Sequence, residues 1–446
     1  MKFAFKGILT EVGWMENAVL TTDKNGIVTS IEQEPSRADY MGAYLLPGFQ
    51  NAHSHAFQFA MAGLAENHST SDHADNFWSW RKAMYDIALT VTPDEMQEIA
   101  EILYTEMVRN GYTSVAEFHY LHHDPEGKPY QNLAEMGERL MLAAQSAGIR
   151  ITLIPMFYQQ GSFGKAAESG QRRFISPDAE SYHRLLEATK HAAKQYSNAR
   201  VGVGIHSLRA VSAPDIIGFT QQLDGSVPFH IHIAEQLKEV EDCLSFHGKR
   251  PVEWLLDNCD VGPHFHLVHA THLSDQEVNG IAKSGAHVVL CPSTEGNLGD
   301  GLFSFHDFKK AGGRWSIGTD SHIGLNPFEE LRLLDYGQRL ITHRRDTFKT
   351  EESGDSGINA IKMAWRAGRA AMGNHNQHFF EVGKPLDAVV ISDQSPLIQS
   401  SATDHLSNTI VYTASQGDIE NTIINGQIIS NEIITGPPGL QRFRIT

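Results

Sequence analysis

The sequence predicts an α/β protein: a (β/α)8 TIM-like barrel with a small β-sandwich domain built from both chain ends. Three observations carry this expectation. The chain has 446 residues, more than single cores usually reach, so a large domain with a smaller companion is expected. Within residues 48–375, eight β-rich runs with polar ends alternate with stretches that carry helical signals. Strands that alternate with helices pair in parallel through crossovers, and eight such units close a barrel. Outside that region, residues 1–47 and 376–446 read as short strands and turns, among them "KNGIVTSIEQ", "LDAVVISD" and "NTIINGQIIS", and are expected to form one small β-domain together.

In order, the eight runs are "AYLLPGFQNAHSH", "TSVAEFHY", "RITLIPMFY", "RVGVGIHSLR", "PFHIHIAE", "FHLVHATHL", "HVVLCPSTE" and "RWSIGTDSH". One connecting helix can be justified residue by residue. In "TPDEMQEIAEILYTEMVRNG", Thr92 caps the first turn, Pro93 takes the first helical position and Glu95 completes a capping box. Ile99, Ile102, Leu103 and Met107 form the inward stripe, and Asn110-Gly111 ends it.

Composition narrows the function. Hydrophobic residues at 41% suffice for a core, and no apolar stretch is long enough to span a bilayer. The opening "MKFAFKGILTEVGWMEN" lacks the uninterrupted apolar region of a signal peptide, so a soluble cytoplasmic protein without membrane partners is expected. Thirty-six basic residues against 53 acidic ones leave a formal charge of -17, which argues against nucleic acid. Cys243, Cys259 and Cys291 are too few and too scattered for a disulfide framework, and Cys291 reads as a small apolar residue ending a buried strand.

The chemistry lies where the runs end. In "PGFQNAHSHAF", His53 and His55 are two apart, so in an extended strand they point the same way and can grip one ion. His206 and Arg209 close the fourth run, His232 and Glu235 the fifth, His269 the sixth and Asp320 the eighth. Singly, a strand-end Asp caps helices and a His satisfies carbonyls. Jointly, they sit on the rim where barrel enzymes hold their active sites. Three imidazoles (His53, His55, His232) and one carboxylate (Asp320) suit one divalent metal ion, zinc or else ferrous iron, with an open position for water. Glu235, three residues past His232, leans over the same rim and can pass a proton to a departing nitrogen, while His269 and Asp320 can take one from water.

"PGFQNAHSH", "HIHIAE", "LVHATHL", "LCPSTEGNLGDG" and "IGTDSHIGLNPFEELRL" resemble the amidohydrolase superfamily, along the whole chain and including the closing "VGKPLDAVVI". The pattern is similar to its branch of deaminases and related hydrolases with one catalytic metal. Two-metal members generally carry a bridging lysine at the end of the fourth strand, where this chain has "GIHSLR". "NAHSHAFQFAMAGLAE", "FWSWRKAMY", "AEFHYLHH" and "GIHSLRAVS" most resemble the iminohydrolases of bacterial histidine degradation. That resemblance implies hydrolysis of N-formimino-L-glutamate to N-formyl-L-glutamate and ammonia, by attack of metal-activated hydroxide on the formimino carbon. It also suggests a homodimer.

Such a substrate carries two carboxylates and a planar amidine. Arg209 and Arg81 can each fork onto a carboxylate, Tyr120 can donate a further hydrogen bond, with His119 as its competitor, and Gln58 and His206 can orient the substrate. The rival reading is a purine or aminoheterocycle deaminase of the same superfamily, for which Trp78 and Trp80 would supply stacking faces. A non-catalytic metal-binding barrel is a minor alternative, against which Glu235 stands.

Overall fold

The computed structural model describes residues 1–33, 37–66, 77–429 and 438–444. Eight parallel strands form a nearly closed barrel: Phe49–Ser54, Tyr112–His119, Arg150–Phe157, Val203–Ser207, Phe229–Ile233, Phe265–His269, His287–Leu290 and Arg314–Ile317. They read as near-continuous apolar runs because both faces are covered, one by the barrel interior and the other by helices. The seam between first and last strands is closed by a short bridge, Ser54 to Asp320, with the amides of Thr319 and Asp320 donating to the His53 carbonyl at 3.1 and 3.0 Å. Closing the barrel therefore carries Asp320 to the two histidines of the first strand.

The helix that leads into the second barrel strand, Pro93–Arg109, forms as its caps dictate. Thr92 accepts from the Glu95 amide at 3.2 Å and its own amide donates to Glu95 Oε2 at 2.9 Å. Ile99, Ile102, Leu103 and Met107 are buried against the barrel. Among the described residues, no helix is long and apolar enough to cross a membrane.

Both chain ends contribute to one seven-stranded sheet. Its order is Gln427–Ile429, Ile419–Ile424, Ala388–Ile391, Tyr40–Pro47, Lys2–Thr10, Gly13–Thr22 and Val28–Glu32. Ala388–Ile391 lies antiparallel to Tyr40–Pro47, and Phe3, Phe5, Leu20, Leu45, Val390 and Ile423 bury one another. The ends are also joined turn to turn. Asn425-Gly426 makes the hairpin turn that such a pair favours, both residues at positive φ, and Gly26 packs against it. A Cβ on Gly26 would sit 1.6 Å from the Asn425 carbonyl oxygen, at a φ of +77° that L residues avoid. Gly26→Ala is therefore expected to cost about 2 kcal/mol or more, read as a lowered melting temperature. An unchanged melting temperature would mean that the two turns do not meet.

At the amino ends of the strands the barrel interior holds a stacked row of imidazoles. His230, His266 and His287 lie 4.7 and 4.9 Å apart between ring centroids. Burial lowers all three, His287 to about 4, so each is neutral in the fold. The unfolded chain takes up protons as pH falls below about 6.5, while the folded state resists until about 4. Stability is thus full above about pH 6.5 and falls towards about pH 4. Melting temperatures measured between pH 7 and 5 should fall less steeply for His287→Asn than for the parent chain, and equal slopes would contradict this.

Candidate active site

At the carboxyl rim the backbone itself bends towards the centre. Among the described residues, five of the eight non-glycine residues at positive φ are Ala234, His269, Ala270, Asp320 and His322, all at this rim. Each such conformation costs roughly 1–2 kcal/mol, which the surrounding barrel must hold in place. The holding bonds are visible: the Ala270 amide donates to Ile233 O and the His272 amide to Ala234 O, both at 3.0 Å. The buried Glu239 carboxylate accepts from the amides of Ala234 and Glu235 at 3.1 Å each, which fixes the turn that presents Glu235.

His53, His55 and His232 converge. Their Nε2 atoms lie 3.1, 3.3 and 3.0 Å from one another, and Asp320 Oδ1 lies 3.4 Å from His53 Nε2 and 3.3 Å from His55 Nε2. Hydrogen bonds among these groups do not explain the cluster. His55 Nδ1–H donates to Phe118 O at 2.8 Å and His232 Nδ1–H to His206 O at 3.2 Å, so in the neutral rings both Nε2 atoms carry lone pairs and face each other. Two lone pairs 3.3 Å apart need a cation between them. Four ligands arranged tetrahedrally at zinc distances would stand about 3.3–3.4 Å apart, so the donor set fits one divalent ion.

Protonation states agree with that fit. Burial lowers His53 to about 3 and lowers His55 and His232 as well, which keeps all three neutral and able to ligate. Burial works against the charge of Asp320, yet the neighbouring imidazoles, His53 first, hold its carboxyl below the usual range.

His269 stands on the far side of Asp320, its Nε2 3.6 Å from Oδ2, and with His53, His232 and Asp320 forms a second possible grouping of donor atoms within 4.8 Å. Its Nδ1 lies 3.2 Å from Glu295 Oε1, an oxygen that also accepts from the Cys291 amide. Burial opposes protonation of His269, but Glu235, Glu295 and Asp320 together raise it to about 10. His53, His232 and Asp320 are thus common to both groupings, with His55 or His269 as the further imidazole. Glu235 Oε1 is 3.8 Å from His269 Nε2, and burial raises this carboxyl to about 7 against the pull of that imidazole.

Beside the cluster lies a cavity of about 510 Å³. Gln58, Arg81, Tyr120, His206, Arg209, Glu235, His269 and Asp320 all line it, so the residues singled out in the sequence come together around one space. His53 lies beneath it, fully buried. Gln58 Nε2 donates to Tyr120 Oη at 3.0 Å, and its Oε1 has no hydrogen-bond partner among the described residues. Arg81 lies over the Tyr85 ring at 5.0 Å. His206 packs against Tyr158 at 4.5 Å, with Nδ1 3.1 Å from Ser207 Oγ. His119 turns away to pack on His122, leaving Tyr120 at the cavity. Trp80 lines the cavity as well, whereas the Trp78 side chain lies outside the described residues. Cys291 is buried with Ala52, Val268 and Val289, an apolar filler as its strand suggested.

Sequence reasoning missed Tyr158, Glu239 and Glu295. Tyr158 closes "RITLIPMFY" on the same rim, so the rule that found the histidines would have found it had tyrosine been admitted as a polar end. Glu239 and Glu295 sit in helices, where nothing separates them from solvent-facing glutamates until the fold is known.

Three comparisons bear on this arrangement. The amidohydrolase family model matches residues 44–429. A formimidoylglutamate deiminase of Pseudomonas aeruginosa is 40% identical over 428 residues, covering 95% of this chain and 93% of the relative. A crystal structure of an amidohydrolase from Brucella melitensis superposes with a TM-score of 0.89 at 41% identity, covering 96% of this chain and 94% of that one. A 5'-deoxyadenosine deaminase of Methanoregula boonei is more distant, 26% identical over 88% of this chain and 80% of its own.

Proposed function

The chain belongs to the amidohydrolase family, and on that premise we propose that it hydrolyses N-formimino-L-glutamate to N-formyl-L-glutamate and ammonia. The observation that carries this reading is the pairing of a three-imidazole, one-carboxylate cluster with two arginines across one cavity. An acyclic substrate with an amidine at one end and two carboxylates at the other matches both halves.

We assign the metal to His53, His55, His232 and Asp320, with zinc as the ion and ferrous iron as the alternative the same donors accept. A divalent ion held there supplies a water whose pKa falls from about 15.7 towards about 7. Arg209 and Arg81 each fork onto a carboxylate, while Gln58, Tyr120 and His206 orient the chain between them. Asp320, kept ionised, takes the proton from the attacking water. His269, anchored at Nδ1 by Glu295 and kept protonated, presents Nε2–H to the oxygen that becomes the formyl carbonyl. Glu235, raised to about 7, gives its proton to the imino nitrogen; of the two protons of the attacking water, the one taken by Asp320 and the one lost as C–OH becomes the formyl carbonyl, one completes the ammonia that leaves and the other returns to Glu235. One C–O bond forms, one C–N bond breaks, and the amide nitrogen stays with glutamate.

Parallel kcat/KM measurements on N-formimino-L-glutamate, guanine and adenosine with metal-replete protein test the substrate class. The formimino compound should exceed either purine by at least about 10⁴, since a neutral ring offers no carboxylate to Arg209. A purine turned over faster would keep the metal site and overturn the substrate.

A further inference from the structure

At the opposite end of the barrel the amino ends of the strands open into a second cavity, of about 1590 Å³. Thr152 lines this cavity and Tyr158, six residues further along the same strand, lines the active site, which puts the two about 20 Å apart. Four cations line it, Arg150, Arg200, Arg369 and Lys384, against two carboxylates, Glu381 and Asp387. A chain whose formal charge is -17 thus concentrates a net positive charge in one recess.

These cations are not spent alike. Arg150 is engaged by Asp387 and Asn425, and among the described residues Arg200 reaches only the Gly373 carbonyl, at 3.4 Å. Arg369, on the helix Ser356–Ala371, makes no side-chain hydrogen bond or ion pair among the described residues, and its Nε is shielded from solvent without a partner. Its guanidinium lies over the buried Trp365 ring, 4.9 Å from the centroid. Burial, and then the charges of Arg150 and Arg200, lower Arg369 to about 10 in spite of Asp387. Holding that charge in place without an anion is unfavourable, and a bound anion would relieve it.

We propose that this cavity binds a phosphate group, free or carried on a small metabolite, with Arg369, Arg200 and Lys384 as the cations that hold it. Guanidinium forks match phosphate oxygens in pairs, and a phosphate monoester carries about -1.5 to -2 at neutral pH, which balances the surplus lining charge.

Calorimetric titration of the metal-replete full chain, at constant ionic strength in chloride, tests this with inorganic phosphate in one arm and ribose 5-phosphate in the other. Saturable one-to-one binding is expected, weakened at least tenfold by Arg369→Gln and by Arg200→Gln and unchanged by Arg209→Gln. Tighter binding of ribose 5-phosphate would assign a metabolite, and tighter binding of inorganic phosphate the free ion. Should Arg369→Gln fail to fold, Arg200→Gln decides alone, because Arg200 is exposed. No saturable heat in either arm, affinity indifferent to both cavity variants, or binding lost in Arg209→Gln would overturn the proposal.

Discussion

Glu235→Gln should lower kcat by about 10³-fold while metal content stays at the parent value. The carboxyl is buried, raised to about 7, and 3.8 Å from His269, so near neutrality it can hold a proton and release it. Glutamine keeps the volume and the neutral hydrogen-bonding shape but has no proton to give. The leaving nitrogen must then depart unprotonated, or wait for a proton from solvent that the enclosed cavity restricts. Metal content separates this from a ligand role: the four assigned donors remain, and only the proton relay is lost. Retained turnover would remove Glu235 from the mechanism, and loss of metal together with turnover would make it a ligand.

Arg209→Gln is expected to lower kcat/KM for N-formimino-L-glutamate by about 10²–10³, with most of the loss in KM. A paired charge-assisted fork contributes about 1.5–3 kcal/mol, and its removal also strands a substrate carboxylate in a cavity with few other cations. No ion pair or side-chain hydrogen bond occupies this guanidinium among the described residues, so little of the loss is expected in stability. A lowered melting temperature with unchanged KM would make Arg209 structural. Arg81 differs in lying on the short helix Phe77–Ala88 and in resting on Tyr85, so its replacement by glutamine should raise KM less steeply.

Much of this could be read from the chain because barrels separate tasks by position. Apolar runs declared the strands, and the polar residue ending each run declared the rim, so His53, His55, His232, His269 and Asp320 were visible before any contact was known. Side-chain alternation also explains why the Nε2 atoms of His53 and His55 converge to 3.1 Å. What stayed hidden depended on contacts between distant segments. Nothing in the spacing shows that the neutral tautomers of His55 and His232 are set by the Phe118 and His206 carbonyls, which leaves both Nε2 atoms as lone-pair donors. Glu239 and Glu295 were hidden for the same reason: their carboxylates matter through what they hold, Glu235 and His269. The left-handed turns at Ala234 and Ala270 fall on residues with no conformational preference for them, so only tertiary closure could impose them. At the chain ends the Asn-Gly hairpin was legible, whereas its docking against Gly26 joins residues about four hundred positions apart and left no local mark.

The most direct test of the account is the carbon product formed from N-formimino-L-glutamate in ¹⁸O-labelled water, followed by mass together with ammonia release. N-formyl-L-glutamate carrying a single labelled oxygen is expected, with ammonia released in equal amount. Formamide and free glutamate would mean that water attacks the same carbon but the other C–N bond breaks, and would contradict the proton delivery assigned to Glu235.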